Sequence, residues 1–288
     1  MGAIYGKEET PRENIREVEP DPNNGLIFNE FYLPPEVVAH ILTYLHPILN
    51  GRRVCKVWQD MIDSVVWREK VLREVPGATI SIFQHKDLMW TDYYFLWKHK
   101  PHLRNLIRNG AAEERFDHWA VRSNHIFGEN VRNRWKIEKE PVGCDPFPPG
   151  VKRCFVTTYE WCTAEQVINL HEFGLTSNFM KHVCPNIHVE EWYAGRFDCG
   201  FEYCLKVTLL NSQWEEVDSF VFETTGHTTA WTKVEHVFSN YNKEVSIIVF
   251  HHKGKDTQFW AGHYGCKITG AKVYVTLPGL EDKTTDKM

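Results

Sequence analysis

The chain has 288 residues, 42% of them hydrophobic and 25% charged, and a formal net charge of −5. That length allows two domains of ordinary size, and the composition excludes wholesale disorder. The charge excludes the basic footprint of a nucleic-acid binder, and no run is apolar enough to span a bilayer.

In chain order, residues 1–27 are charged, contain prolines and lack periodicity, so they are expected to form a mobile arm. They also lack the apolar segment of a signal peptide. The eight cysteines include no C-x-x-C pair, which suits reduced thiols and a cytoplasmic location. A helical pattern begins at Phe28. "LPPEVVAHILTYLHP" opens on Pro34-Pro35, a good start for a helix, and places Val37, Val38, Ile41, Leu42 and Leu45 at helical spacing. "NGRRVCKVWQDMIDS" carries a second stripe through Val54, Val57, Trp58, Met61 and Ile62. "VWREKVLREVPG" carries a third through Trp67, Val71 and Leu72, stopped by Pro76-Gly77. These three short helices, over residues 28–76, hold more apolar surface than so small a module can bury alone. Either a permanent partner or the rest of the chain covers it.

Residues 77–97 read as a linker whose "DLMWTDYYFLWKHKP" forms a connecting helix. From 98 to 276 strands dominate. "FEYCLKVTLL" alternates Tyr203, Leu205, Val207 and Leu209 with less apolar neighbours, as a sheet with one buried face requires. Similar runs are "KRCFVTTYEWC", "NIHVEEWYA", "DSFVFETT", "WTKVEHVFS", "EVSIIVFHH" and "KITGAKVYVT". One helix is expected among them, "TAEQVINL", with Thr163 and Gln166 in capping-box register. Many short strands separated by turn signals predict an antiparallel sandwich. The fold class is therefore α+β multidomain, and residues 277–288 form a polar tail. Within the late segment "KGKDTQFWAGHYG", glycines bracket Phe259 and Trp260, and turns of this kind lie at the surface.

Two stretches carry a family resemblance. "LPPEVVAHILTYLHPILNGRRVCKVWQDMIDSVVWREK" resembles the F-box, the three-helix module that docks on the Skp-type adaptor of SCF ubiquitin ligases. "KPHLRNLIRN", "YEWCTAEQVINL", "EEWYAGRFDCGFEY" and "DTQFWAGHYG" resemble the F-box-associated domain of the glycoprotein-recognising F-box family. The resemblance implies a galactose-binding-like jelly roll whose end loops take substrate, the inner chitobiose of high-mannose N-glycans in its best-known members. It implies adaptor docking by Leu33, Pro34, Ile41, Leu42, Leu45, Val54 and Trp58, and through the adaptor an association with cullin and RING subunits. It also implies sugar contacts at Tyr159 and at the triplet Phe259, Trp260 and Ala261, where the family has an aromatic residue, Trp and Lys. Ala261 thus removes a charged donor, and Phe259 in place of Tyr removes a hydroxyl.

The role implied is a non-catalytic substrate receptor for misfolded glycoproteins, without cofactor or metal. It would work in the cytoplasm, with the cytosolic face of the endoplasmic reticulum as one place for it. Other readings stay open: a receptor for a protein epitope, or a glycan-binding module with no ligase role. The bland alternatives are Trp260 as a core residue at a strand end and Tyr159 inside the sandwich. Adjacent residues of an extended loop also tend to point opposite ways, which leaves one of Phe259 and Trp260 open to burial. His251 and His252 alternate along a strand and point to opposite faces, so one metal ion cannot easily take both. His182, Cys184 and His188 lack zinc-site spacing. Asp256, Glu160 and Asp198 near the aromatic segment raise glycoside hydrolysis, which needs two acids flanking one bond.

Overall fold

The computed structural model describes residues 25–79, 82, 85–123, 134–241 and 243–278. Most of the expected N-terminal arm and of the polar tail lies outside the described residues. The chain divides into two compact units, residues 1–66 and 67–288.

The first unit opens with a tight hairpin, β1 (Ile27–Phe28) against β2 (Phe31–Tyr32). Its turn residues Asn29 and Glu30 both have positive φ, the backbone twist that two-residue hairpins favour. Pro34-Pro35 then starts α1 (Pro35–Leu42). A short α2 (Ile48–Gly51) and α3 (Lys56–Met61) follow, and α3 runs on into a π-helical turn over Ile62–Val66. The Arg52 guanidinium grips the Asp63 carboxylate through two bonds of 2.6 and 2.7 Å. The Trp58 indole N–H donates to the Gly25 carbonyl at 2.6 Å. A side chain at Gly25 would strike the Trp58 ring and the Cys55 sulfur, and its φ of +90° suits glycine.

The second unit begins with α4 (Trp67–Glu74), which packs against α5 (Trp90–His99). Trp67 is fully buried beside the rings of Tyr94 and Trp97, and burying such a ring contributes on the order of 3 kcal/mol. That packing explains why α4 groups with this unit, although its apolar stripe reads on from the preceding helices. The buried Lys70 ammonium, the Arg73 guanidinium and the Trp97 indole N–H all meet the Glu74 carboxylate. Burial pushes the Glu74 pKa up, but these three donors outweigh it and hold it at about 2.

The connecting helix belongs to the sandwich unit through buried Asp92. That carboxylate accepts from Met89 N–H, closing the start of α5, and from the side chains of Thr176 and Asn178. Thr176 also caps α6 (Ser177–Val183). The sequence reading placed no helix there, although Phe179, Met180 and Val183 recur at helical spacing.

Two five-stranded antiparallel sheets form the body. One has the order β10 (Thr232–Phe238), β7 (Asn186–Ala194), β12 (Lys267–Thr276), β5 (Cys154–Val156), β4 (Lys136–Glu138). The other runs β3 (Ala120–Ser123), β6 (Cys162–Asn169), β11 (Ile247–Asp256), β8 (Phe201–Leu210), β9 (Glu216–Gly226). The expected helix "TAEQVINL" is strand β6, paired with β3 and β11. Ala164, Gln166 and Ile168 face inward and the residues between them outward, a period of two that the capping-box reading overrode. Gln166 caps no helix: its amide bonds both backbone groups of Arg108.

Between the sheets lie alternating apolar residues and one buried polar cluster around Glu191. Tyr203 and His252 both bond the Glu191 carboxylate, at 2.5 and 2.8 Å, and His252 stacks on Trp119. The buried Lys267 ammonium pairs with Glu138 on the opposite, outer side of the first sheet, since their neighbours Ile268 and Ile137 flank the inward Phe155. His251, next to His252 on β11, lies on the outer face of the second sheet, where burial and then neighbouring positive charges lower its pKa to about 4. No helix among the described residues is long and apolar enough to cross a membrane.

Candidate functional site

Two crossovers between the sheets meet at one end of the sandwich. Residues 157–161 carry the chain from β5 to β6, and residues 257–266 carry it from β11 to β12. They are stitched together by Asp256 N–H to Thr158 O at 2.9 Å, Thr157 N–H to Cys266 O at 3.0 Å and Gly265 N–H to Thr157 O at 3.1 Å. Glycine is required at 265, because a Cβ would lie 2.8 Å from Thr158 O.

The rings stand on this seam. Phe259 is 73% exposed and Trp260 42% exposed, so both members of the adjacent pair face solvent. Phe259 achieves this with φ +60°, a left-handed conformation uncommon for an aromatic residue. Half-buried Tyr159 lies 5.1 Å from Phe259, ring centre to ring centre, at 54°. Trp260 stands edge-on to Tyr264, 5.5 Å away at 88°. The Arg196 guanidinium covers Tyr264 at 4.7 Å and is fixed by two bonds to Asp198 of 2.8 and 2.9 Å. That pairing holds the Asp198 carboxyl below its usual range. Ala261 is exposed and contributes no donor. The structure therefore brings Tyr159 and Phe259 together and sets Trp260 beside them on the same exposed loop, an open aromatic platform, with half-buried Tyr264 edge-on behind Trp260.

The carboxylates near the platform are engaged elsewhere. Asp256 is 1% exposed and accepts the N–H groups of Gln258, Phe259 and Trp260. Glu160 pairs with Arg134, whose guanidinium sits 5.9 Å from the Tyr159 ring. All three acids are thus already bonded within the chain. Among the described residues, no group of three or more His, Cys, Asp or Glu is placed to hold a metal ion. The sequence reading missed Phe197, which is exposed on the neighbouring β7–β8 loop beside Arg196. Its bracketing by Gly195 and Gly200 is the same signal that singled out Phe259 and Trp260.

In the helical unit Pro34, Ile41 and Val54 are exposed, and Leu33, Leu45 and Trp58 are half-buried. Leu42 departs from the expected docking set. It is 2% exposed, turned inward with Val38 and Ala39, and so serves the interior of the helical unit. Val37 and Tyr44 are exposed on the same helical stretch.

Comparison with known proteins gives this geometry its family. A model of the F-box associated region matches residues 97–275. The chain belongs to the F-box associated family. An F-box-like model matches residues 31–73 in front of it, so the chain has both parts of an F-box only protein. F-box only protein 6 of Homo sapiens is 35% identical over 254 residues, covering 85% of this chain and 83% of that protein. F-box only protein 44 of Homo sapiens is 34% identical, covering 85% and 96%. F-box only protein 27 of Mus musculus is 31% identical, covering 96% and 98%. Among solved structures, a CBM61 module in complex with beta-1,4-galactotriose aligns at TM-score 0.38 and 18% identity, over 60% of this chain and 99% of that one. The CBM22-1 xylan-binding domain of Paenibacillus barcinonensis Xyn10C aligns at TM-score 0.37 and 10% identity, over 60% and 96%.

Proposed function

We propose that this F-box only protein is the substrate-recognition subunit of an SCF-type ubiquitin ligase and takes N-glycosylated, misfolded proteins in the cytosol. The helical unit docks on a Skp-type adaptor, which links it to cullin and RING subunits. The sandwich holds the cargo. Its contribution to ubiquitin transfer is proximity: it supplies no acid, base or nucleophile and keeps a target lysine near the charged conjugating enzyme.

The observation that carries the cargo reading is the solvent-facing platform of Tyr159, Phe259 and Trp260 on a pinned loop. A pyranose has a C–H face that a ring can cover and polar edges that need donors and acceptors. The inner chitobiose of a high-mannose glycan presents both. An open aromatic site of this size binds a free disaccharide at the micromolar level or weaker, roughly −8 kcal/mol at best. Several glycans on one cargo add avidity. A glycan array probed with the full chain tests the reading: signal on chitobiose-bearing probes, lost in Trp260→Ala, is expected, and no signal with the wild type would remove the sugar.

Exposed Phe197 and donor-free Ala261 favour a second reading, in which the same loops take an apolar protein epitope. Cargo captured equally well before and after enzymatic removal of its glycans would favour it.

A further inference from the structure

We propose that Asp256 is the positioning residue of the aromatic platform: one buried carboxylate sets both the exposed rings and their register with the Tyr159 loop. The inference rests on reading that platform as the ligand site. Asp256 closes β11, where its backbone is still held in the sheet opposite Phe201. Immediately beyond it the chain leaves the sheet, and the N–H groups of residues 258–260 need acceptors. All three turn back to this side chain: Gln258 at 3.1 Å and Phe259 at 2.6 Å to one oxygen, Trp260 at 3.3 Å to the other. The contact to Phe259 is the shortest of the three. It falls on the residue whose φ is +60°, so the shortest bond is made where the backbone is least comfortable.

The same residue also reaches the second loop. Its own N–H donates to Thr158 O at 2.9 Å, one residue before Tyr159, whose ring meets Phe259. A shift of Asp256 would therefore move Phe259, Trp260 and Tyr159 together. Asparagine has the same shape but only one acceptor oxygen, and its NH2 would confront an N–H of the loop. The carboxylate does not reach the ligand; it acts through the rings.

The test compares full-length wild type, Asp256→Asn and Trp260→Ala by amide hydrogen exchange, thermal unfolding and titration with chitobiose. The wild-type amides of 258–260 are expected to be protected despite their place on an exposed loop. Asp256→Asn is expected to speed their exchange about tenfold or more and to weaken chitobiose binding by a similar factor, with the sheet amides still protected. Trp260→Ala should lose binding while the amides of 258 and 259 stay protected, which separates a missing ring from a misplaced one. Unprotected amides in the wild type would overturn the proposal whether or not the Asn variant folds. So would unchanged exchange in Asp256→Asn, or unchanged affinity where the wild type binds. If the wild type does not bind chitobiose, the sugar reading falls, and the exchange comparison alone decides whether Asp256 orders the loop.

Discussion

Replacing Lys267 by methionine tests how the sandwich end that carries the platform is held together. Lys267 is the first residue of β12, directly after the aromatic loop, and is fully buried against Glu138 of β4. Methionine keeps the chain's length and apolar stem but leaves the Glu138 carboxylate, itself 4% exposed, without its main partner. Breaking a buried pair from one side costs about 3–5 kcal/mol. Glu138 retains Val142 N–H at 3.2 Å and the more exposed Lys136 ammonium at 3.4 Å, so the low end, about 3 kcal/mol, is the expectation. For a unit of this size that lowers Tm by roughly 6–12 °C. Differential scanning calorimetry of the wild type, Lys267→Met, Glu138→Gln and the double variant reads it directly. The double variant should recover much of the loss, because it removes the stranded charge. A Lys267→Met shift below about 2 °C, or a double variant no better than the single, would refute the claim that this pair is a dry, mutually dependent ion pair.

Three further outcomes follow from the structure. Ile41→Asp with Val54→Asp should abolish co-purification of a Skp-type adaptor with little change in Tm, whereas Leu42→Ala should cost about 2–4 kcal/mol of stability; adaptor capture by the double Asp variant would redraw the docking surface. Glu74, held at about 2 in the folded protein against an ordinary carboxylate near 4.3, adds stability that is complete above the ordinary value and is lost as pH falls towards 2. The Tm gap between wild type and Glu74→Gln should therefore shrink from pH 6 to pH 3, and a constant gap would contradict the assignment. Gly265→Ala should separate the two platform loops, seen as faster amide exchange at residues 157 and 265, because a Cβ there would meet Thr158 O at 2.8 Å.

How much of this was readable beforehand varies by element. The alternation of Tyr203, Leu205, Val207 and Leu209 specified both the strand and its buried face. The glycine bracketing pointed the Phe259-Trp260 segment to the surface, but alternation suggested that one of the two rings turns inward; the positive φ of Phe259, invisible in sequence, exposes both. "TAEQVINL" misled because its Thr-x-x-Gln spacing imitates a capping box; only pairing with the distant strands β3 and β11 reveals a strand, and such pairing is not local information. Leu42 shares its helical stripe with Ile41, and spacing alone could not say which of the two faces inward. Asp256 looked like a candidate acid because nothing in a sequence shows three loop amides converging on one carboxylate. The resemblance supplied the two-part architecture that periodicity alone left open.

The most direct test of the account is the affinity of the full-length protein for a chitobiose-bearing glycoprotein before and after endoglycosidase treatment, with Trp260→Ala alongside. The account predicts binding to the intact glycoprotein that falls at least tenfold, about 1.4 kcal/mol, on either glycan trimming or loss of the indole. Equal affinity in all three arms would contradict it.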